Sequence, residues 1–136
     1  MAKVRVAVIG VGNCASSLIQ GIQYYRAKQP SDAIGVMHWH IGPYAVTDLE
    51  IAIAYDIDAR KVGRDVADAI FAPPNCTTVF EPNVPATGVT VRMGPVLDGF
   101  SEHMAHYDEK RTFVPSTSAQ PTKDDVVKAL KAADAH

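Results

Sequence analysis

The stretch from Lys3 to Ala15 reads KVRVAVIGVGNCA, and it decides the fold. Lys3 to Ile9 is almost continuously β-branched and apolar on both faces, the pattern of a strand covered by helices on each side of a parallel sheet. Such a strand is expected to be central. It runs directly into Gly10-Val11-Gly12-Asn13-Cys14-Ala15, after which Ala15, Leu18, Ile19 and Ile22 recur at helical spacing. Strand, glycine turn and helix therefore follow one another without a break.

Gly10-x-Gly12-x-x-Ala15 has the form of a dinucleotide-binding fingerprint, and each position has a steric reason. The first glycine permits the tight turn out of the strand. Gly12 lacks a β-carbon, so a pyrophosphate can approach the backbone, and small Ala15 lets the helix pack closely on the sheet. N–H groups of the first helical turn, from Asn13 to about Ser16, then meet phosphate charge at the positive end of the helix dipole. Ser16 and Ser17 offer hydroxyls. Cys14 reads as a small packing residue beside the phosphate rather than a nucleophile, because the sequence places no His near it.

Working outward, Lys28 to Ala45 carries Pro30, Gly35 and Gly42-Pro43 and reads as a long inserted loop with a short strand over 35–40. A second strand, Leu49 to Tyr55, ends in Asp56-Ile57-Asp58. Asp56 is placed to accept hydrogen bonds from ribose hydroxyls, and the inserted loop explains why it lies well beyond the usual ~20 residues from the glycines. An acidic group there repels a 2′-phosphate and favours NAD over NADP, a preference that nearby Arg60 and Lys61 moderate. A helix with Val62, Val66, Ala69 and Ile70 on one side should follow, capped by Asp58, with Asp65 on its solvated face.

Pro73, Pro74, Pro82 and Pro85 break the next region into short pieces, with strands expected at 77–80 and 88–92. Gly94-Pro95 and Gly99 punctuate the segment that continues to Tyr107. After a polar loop from Pro115 to Pro121, Thr122-x-x-Asp125 makes a capping box ahead of Val126, Val127, Leu130 and Ala133. The alternation implies an α/β fold, a Rossmann-like parallel sheet forming the first half of a doubly wound domain. In the order 3-2-1-4-5-6 a fourth strand would pair with the first. None follows the last helix, so the chain is expected to be the N-terminal part of a longer protein, with the first strand left at a sheet edge.

Composition sets the outer bounds. The chain has 136 residues, 47% apolar and 21% charged, which suits one ordinary globular domain and excludes a disordered or collagen-like chain. Thirteen basic against fifteen acidic side chains give a net charge of -2, so nothing in the bulk charge points to nucleic acid or to an anionic membrane. There is no transmembrane-length apolar run and no leader pattern, and a cytoplasmic location is expected. Cys14 and Cys76 are too few for a disulfide scaffold and read as reduced thiols. His38-x-His40 and His103-x-x-His106 lack an adjacent cluster of metal-ligand spacing, so no metal site is expected.

Several stretches in register carry a resemblance. Val8-Ile9-Gly10-Val11-Gly12-Asn13-Cys14-Ala15-Ser16-Ser17-Leu18, Gly21, Tyr24-Tyr25, Met37-His38, Gly42-Pro43-Tyr44, Tyr55 to Gly63, Asp68-Ala69-Ile70-Phe71 and Gly94-Pro95-Val96-Leu97-Asp98-Gly99 resemble the inositol-3-phosphate synthase (myo-inositol-1-phosphate synthase) family of the actinobacterial and archaeal type. That resemblance implies an NAD-dependent isomerase of inositol and phospholipid biosynthesis. It would convert D-glucose 6-phosphate to 1D-myo-inositol 3-phosphate by NAD-linked oxidation, aldol cyclisation and reduction, as a homo-oligomer.

By the same resemblance, Gly10, Gly12, Asn13, Cys14 and Ala15 would line the pyrophosphate. One of Asp56, Asp58 and Asp65 would lie near the adenosine ribose, and Gly94 to Gly99, with Asp98, would flank the cofactor cleft. The catalytic residues and the substrate domain would lie outside this chain, leaving the piece alone inactive. The competing readings are another NAD-dependent oxidoreductase domain and a nucleotide-binding module without chemistry.

Overall fold

A computed structural model describes residues 3–136. In chain order it contains β1 (Val4–Ile9), α1 (Asn13–Arg26), β2 (His40–Ile41), β3 (Tyr44–Ala45), β4 (Leu49–Asp56), α2 (Val66–Ala69), β5 (Val91–Met93) and α3 (Lys123–Ala132). The main sheet is parallel, in the order β1-β4-β5. Counting only these three strands in sequence, the order is 3-2-1, the arrangement expected of the first half of a doubly wound sheet.

The central strand is β4, not β1. Ile51, Ile53, Ala54 and Tyr55 are all buried, whereas Val8 alone is fully buried in β1 and Ile9 is 69% exposed. The free edge of β1 is met at one residue by the chain returning from α3. Arg5 donates its N–H to His136 Nδ1 at 3.0 Å, and its carbonyl accepts from the His136 N–H at 2.9 Å. Register slips once along β1, where Val6 faces Ile51 and Ala7 faces Ile53.

One apolar core holds Val8, Val11, Ala15, Ile19, Ile22, Ile51, Ala54, Val66, Ala69, Ile70 and Val91. The apolar stripe of α1 is shifted from its sequence reading: Leu18 is exposed, while Ser16 and Gln20 are buried beside Ala15, Ile19 and Ile22. Gln20 is fully enclosed because it has work for every polar atom. Its amide donates to Ser16 Oγ and the Thr78 carbonyl, and its Oε1 accepts from the N–H groups of Phe80 and Glu81. These bonds hold the 78–81 segment along α1 as extended chain outside the sheet, in place of the strand expected at 77–80.

The expected helix after Asp58 is shorter than its apolar pattern suggests. Gly63 takes a φ of +86°, a left-handed conformation that suits glycine and ends the turn begun at Asp58. Residues 63–66 then run beside β5, with Gly63 and Val66 donating to the Val91 and Val89 carbonyls. Helix α2 starts only at Val66, and its cap is Asp65, which accepts from the Ala67 N–H. The insertion forms a 3-10 turn at Pro30–Asp32 and a hairpin, β2 with β3, turning at Gly42-Pro43; its strands begin at His40 rather than at 35. Helix α3 carries the expected capping box between Thr122 and Asp125. Among the described residues, no helix is long and apolar enough to cross a membrane.

Candidate functional site

The glycine turn emerges from the carboxyl end of β1, next to the carboxyl ends of β4 and β5, the edge at which open parallel sheets bind ligands. Gly10 has a φ of +95°, so its glycine is required by the backbone itself. Gly12 is different. Its φ of -92° and ψ of -160° are open to any residue, and a β-carbon added there would meet nothing within 4 Å. Neither conformation nor packing asks for glycine at position 12, so the space it leaves faces outward.

Gly12 is the N-cap of α1, and no side chain caps this helix. The first main-chain bond of the helix runs from the Ser16 N–H to the Gly12 carbonyl at 2.9 Å. The N–H groups of Asn13, Cys14 and Ala15 precede it and have no intrahelical acceptor, which leaves donors at the positive end of a 14-residue helix. Ala15 is buried in the core, as close packing of helix on sheet requires. Cys14 is exposed rather than packed. Ser16 does not face the turn: it is buried, and its hydroxyl is engaged by Gln20.

Between the two glycines, Val11 is pinned by both of its polar atoms. Its N–H donates to Asp56 Oδ2 at 2.7 Å, and its carbonyl accepts from Lys61 Nζ at 2.8 Å and Asn75 Nδ2 at 3.1 Å. Lys61 also donates to Asn75 Oδ1 at 2.7 Å and is fully buried. Burial lowers the Lys61 ammonium from its ordinary value, while the charges of Asp56 and Asp58 oppose that shift. On the other flank Asn13 turns its Oδ1 to the N–H groups of Cys76 and Thr77 and to the Thr77 hydroxyl, tying the 76–77 loop to the start of α1.

Each of the three carboxylates expected near a ribose already has partners. Asp56 accepts from the N–H groups of Val11, Ile57 and Asp58. Asp58, fully buried, accepts from the Arg60 N–H, from the Arg60 guanidinium at both oxygens, and from the Val114 N–H. Burial would raise the Asp58 carboxyl, but the guanidinium and the two N–H groups outweigh it and hold it below the usual value. Asp65 caps α2 and also accepts from Thr87 and Gly88; burial opposes, and those bonds again hold its carboxyl low. All of Asp56, Asp58 and Asp65 accept from main-chain or arginine partners. Asp58 is not the helix cap that its position after β4 suggested.

Beside the turn lies an apolar cleft of about 490 Å³, bounded by Gly10, Tyr55, Ile57, Val96, Phe113 and Leu130 among others. Gly94 forms part of its wall, donating its N–H to the Asp56 carbonyl. At Gly99 an added β-carbon would come to 2.9 Å from the Val96 carbonyl, so the tight turn there admits only glycine without rearrangement. Asp98 is exposed and does not line the cleft. The far wall is fixed by Arg60, whose guanidinium reaches the Glu109 and Thr112 carbonyls. Among the described residues, no group of three or more His, Cys, Asp or Glu is placed to hold a metal.

This geometry defines a class: an α/β unit presenting an uncapped, glycine-led helix and an apolar cleft at the carboxyl edge of a parallel sheet. The comparisons with known proteins then show what the chain is similar to. The inositol-3-phosphate synthase of Corynebacterium glutamicum is 48% identical over 128 residues, 93% of this chain and 33% of that protein. The synthases of Mycolicibacterium smegmatis and Mycobacterium tuberculosis are each 47% identical, over 97% and 96% of this chain and 34% of their own lengths.

The chain is a relative of the inositol-3-phosphate synthases and spans about a third of their length. Among solved structures, that titled Ari2 aligns over 98% of this chain and 36% of its own, with a TM-score of 0.74 at 29% identity. A myo-inositol-1-phosphate synthase-related protein from Thermotoga maritima shares the fold at a TM-score of 0.61 and 19% identity, over 98% of this chain and 32% of its own. No protein-family profile matches the sequence.

Proposed function

We propose that this chain is the NAD-holding portion of a protein with inositol-3-phosphate synthase activity, acting as a whole on glucose 6-phosphate. The observation that carries the reading is Gly12: the fold has no need of a glycine there, and the room its missing β-carbon leaves lies at the uncapped N-terminus of α1. A diphosphate matches both features, being bulky and anionic. The main chain at Gly12, Asn13, Cys14 and Ala15 would hold it, and the apolar cleft between Gly10 and Gly94 offers surface to a flat ring. NAD, when bound, supplies reversible hydride acceptance.

What this chain's own residues contribute is binding and orientation. Asp56, Lys61 and Asn75 fix the turn from inside, Asn13 fixes the loop beside it, and Arg60 fixes the far wall of the cleft. The synthase assignment rests on the relatives' name, and the sugar-handling groups are not assigned to any residue here.

The test is calorimetric titration of NAD into the protein and into Gly12→Val. A β-carbon at position 12 meets no protein atom within 4 Å and the backbone there suits any residue, so the fold is expected to survive and NAD affinity to fall by about 100-fold or more, the loss of several charge-assisted contacts. Equal affinity in the two proteins removes the glycine turn from the cofactor site. Consumption of glucose 6-phosphate with NAD present, by the longer protein to which this chain is expected to belong, tests the synthase reading separately.

A further inference from the structure

A fully buried lysine directly beneath the glycine turn is unusual enough to need a reason. Lys61 is enclosed with the amide of Asn75 and the Val11 carbonyl as its hydrogen-bond partners, and the charges of Asp56 and Asp58 act on it. A buried ammonium adds little to stability compared with a well-packed apolar side chain of similar volume. Nor does the Val11 carbonyl depend on it for a partner, since Asn75 Nδ2 already donates there at 3.1 Å. The lysine adds a second, shorter bond of 2.8 Å to the same oxygen and braces Asn75 through a third at 2.7 Å. Two donors on one carbonyl fix its direction, which a single neutral donor does less firmly.

That direction has a consequence one atom further on. The peptide linking Val11 to Gly12 is planar and trans, so its C=O and N–H point opposite ways. With the Val11 oxygen held inward by Lys61 and Asn75, the Gly12 N–H is turned outward, toward the space that a β-carbon at position 12 would occupy freely. Asp56 holds the preceding N–H, that of Val11, so the peptide groups on both sides of Val11 are locked.

We propose that Lys61, acting with Asn75, is a positioning residue for diphosphate recognition: it holds the Val11 carbonyl inward and thereby presents the Gly12 N–H to the anion. This rests on the NAD reading and goes further, because it assigns the preorganisation of the turn to a side chain that never touches the ligand. A purely structural lysine would support every part of the ligand site equally. A positioning lysine affects the diphosphate and spares the rest.

The experiment titrates ADP-ribose and, separately, adenosine into ¹⁵N-labelled protein and into Lys61→Met and Asn75→Ala, reading affinity and the Gly12 amide signal. Lys61→Met is expected to weaken ADP-ribose by about tenfold or more, leave adenosine within a factor of two or so, and abolish the ligand-induced shift of the Gly12 amide. Asn75→Ala is expected to give a smaller loss with the same selectivity.

ADP-ribose and adenosine weakened by the same factor, or ADP-ribose unaffected, overturns the proposal. If Lys61→Met does not fold, Asn75→Ala decides by the same two outcomes. A Gly12 amide in the unsubstituted protein that ignores ADP-ribose overturns the NAD reading and the role of Lys61 with it, whereas a responsive amide with an unselective Lys61→Met overturns the role of Lys61 alone.

Discussion

The glycine turn and the 28–45 insertion spend their side chains in opposite ways. At the turn, polar groups are buried and paired: Asp56, Asp58 and Lys61 are almost wholly enclosed, and their hydrogen bonds end on the main chain of Val11, Ile57 and Val114 or on Arg60 and Asn75. In the insertion, apolar groups face solvent: Ile34, Met37 and Ile41 are 85%, 90% and 74% exposed. Both regions are loops between regular elements. The difference between these two loops is that the one at the carboxyl edge of the sheet encloses and pairs its charges, while the other leaves its apolar side chains outside. Burying a charge is worthwhile only where its partners hold something in place.

The sharpest way to break that contrast is Asp56→Ala. Removing the carboxylate strands three buried or half-buried N–H groups and takes from Lys61 the opposite charge that acts on it most strongly. Loss of one partner from a buried charged network costs about 3–5 kcal/mol. The urea midpoint of Asp56→Ala should therefore fall steeply relative to the unsubstituted protein. A loss below about 1 kcal/mol, on the scale of an ordinary hydrogen bond, would show the turn to be no more tightly built than the insertion.

A smaller effect, with a pH signature, is expected of Asp58→Asn. The amide keeps the shape but gives up the charge that meets Arg60 across 2.6 Å, at a cost of about 1–3 kcal/mol near neutrality. Folding holds the Asp58 carboxyl below its ordinary value of 3.8. Stability from that shift is thus complete above the unfolded value and is lost as pH falls through the folded one. Unfolding curves at pH 7 and pH 3 should show the gap between Asp58→Asn and the parent narrowing in acid. Asp65, held low in the same sense, leaves some acid sensitivity in the variant. A gap that is constant with pH would mean that the Asp58 charge contributes nothing particular to this side of the cleft.

The sequence made one side of this contrast legible and hid the other. Periodicity and β-branching mark β1, α1 and β4 to within a residue or two, and the Thr122–Asp125 pair marks the start of α3, because these signals are local. The edge position of β1 is expected from the missing fourth strand and is found, although the composition of Val4 to Ile9 by itself reads as a central strand. The fingerprint assigns the tight turn to Gly10 and open space to Gly12, and the structure separates them in the same way, with a φ that demands glycine at Gly10 and an ordinary one at Gly12. Lys61, Asn75 and Gln20 were unreadable, since a polar side chain in a sequence is presumed solvated until its partners, far along the chain, are brought to it. For the same reason the hydrogen bonds of Asp56, Asp58 and Asp65 could not be read from the sequence. Their partners at Val11, Val114 and Thr87 lie many residues away.

The smallest effect expected is also the test from the other side. In the insertion, Ile34, Met37 and Ile41 bury little surface, so replacing all three by serine removes little transfer free energy. The summed change in folding stability should stay within about 0.5 kcal/mol, the range of surface substitutions. This segment is tied to α1 by the bond from the Tyr25 hydroxyl to the Ile34 carbonyl at 2.7 Å and by the Tyr25 ring edge-on to Trp39; a main-chain acceptor survives a change of side chain, and Trp39 is left in place. Urea unfolding of Ile34→Ser, Met37→Ser, Ile41→Ser combined would locate hidden support in the insertion if it cost as much as Asp58→Asn. With a change near zero, the three side chains are free of any duty to the fold that carries them, and their exposure belongs to the outer surface alone.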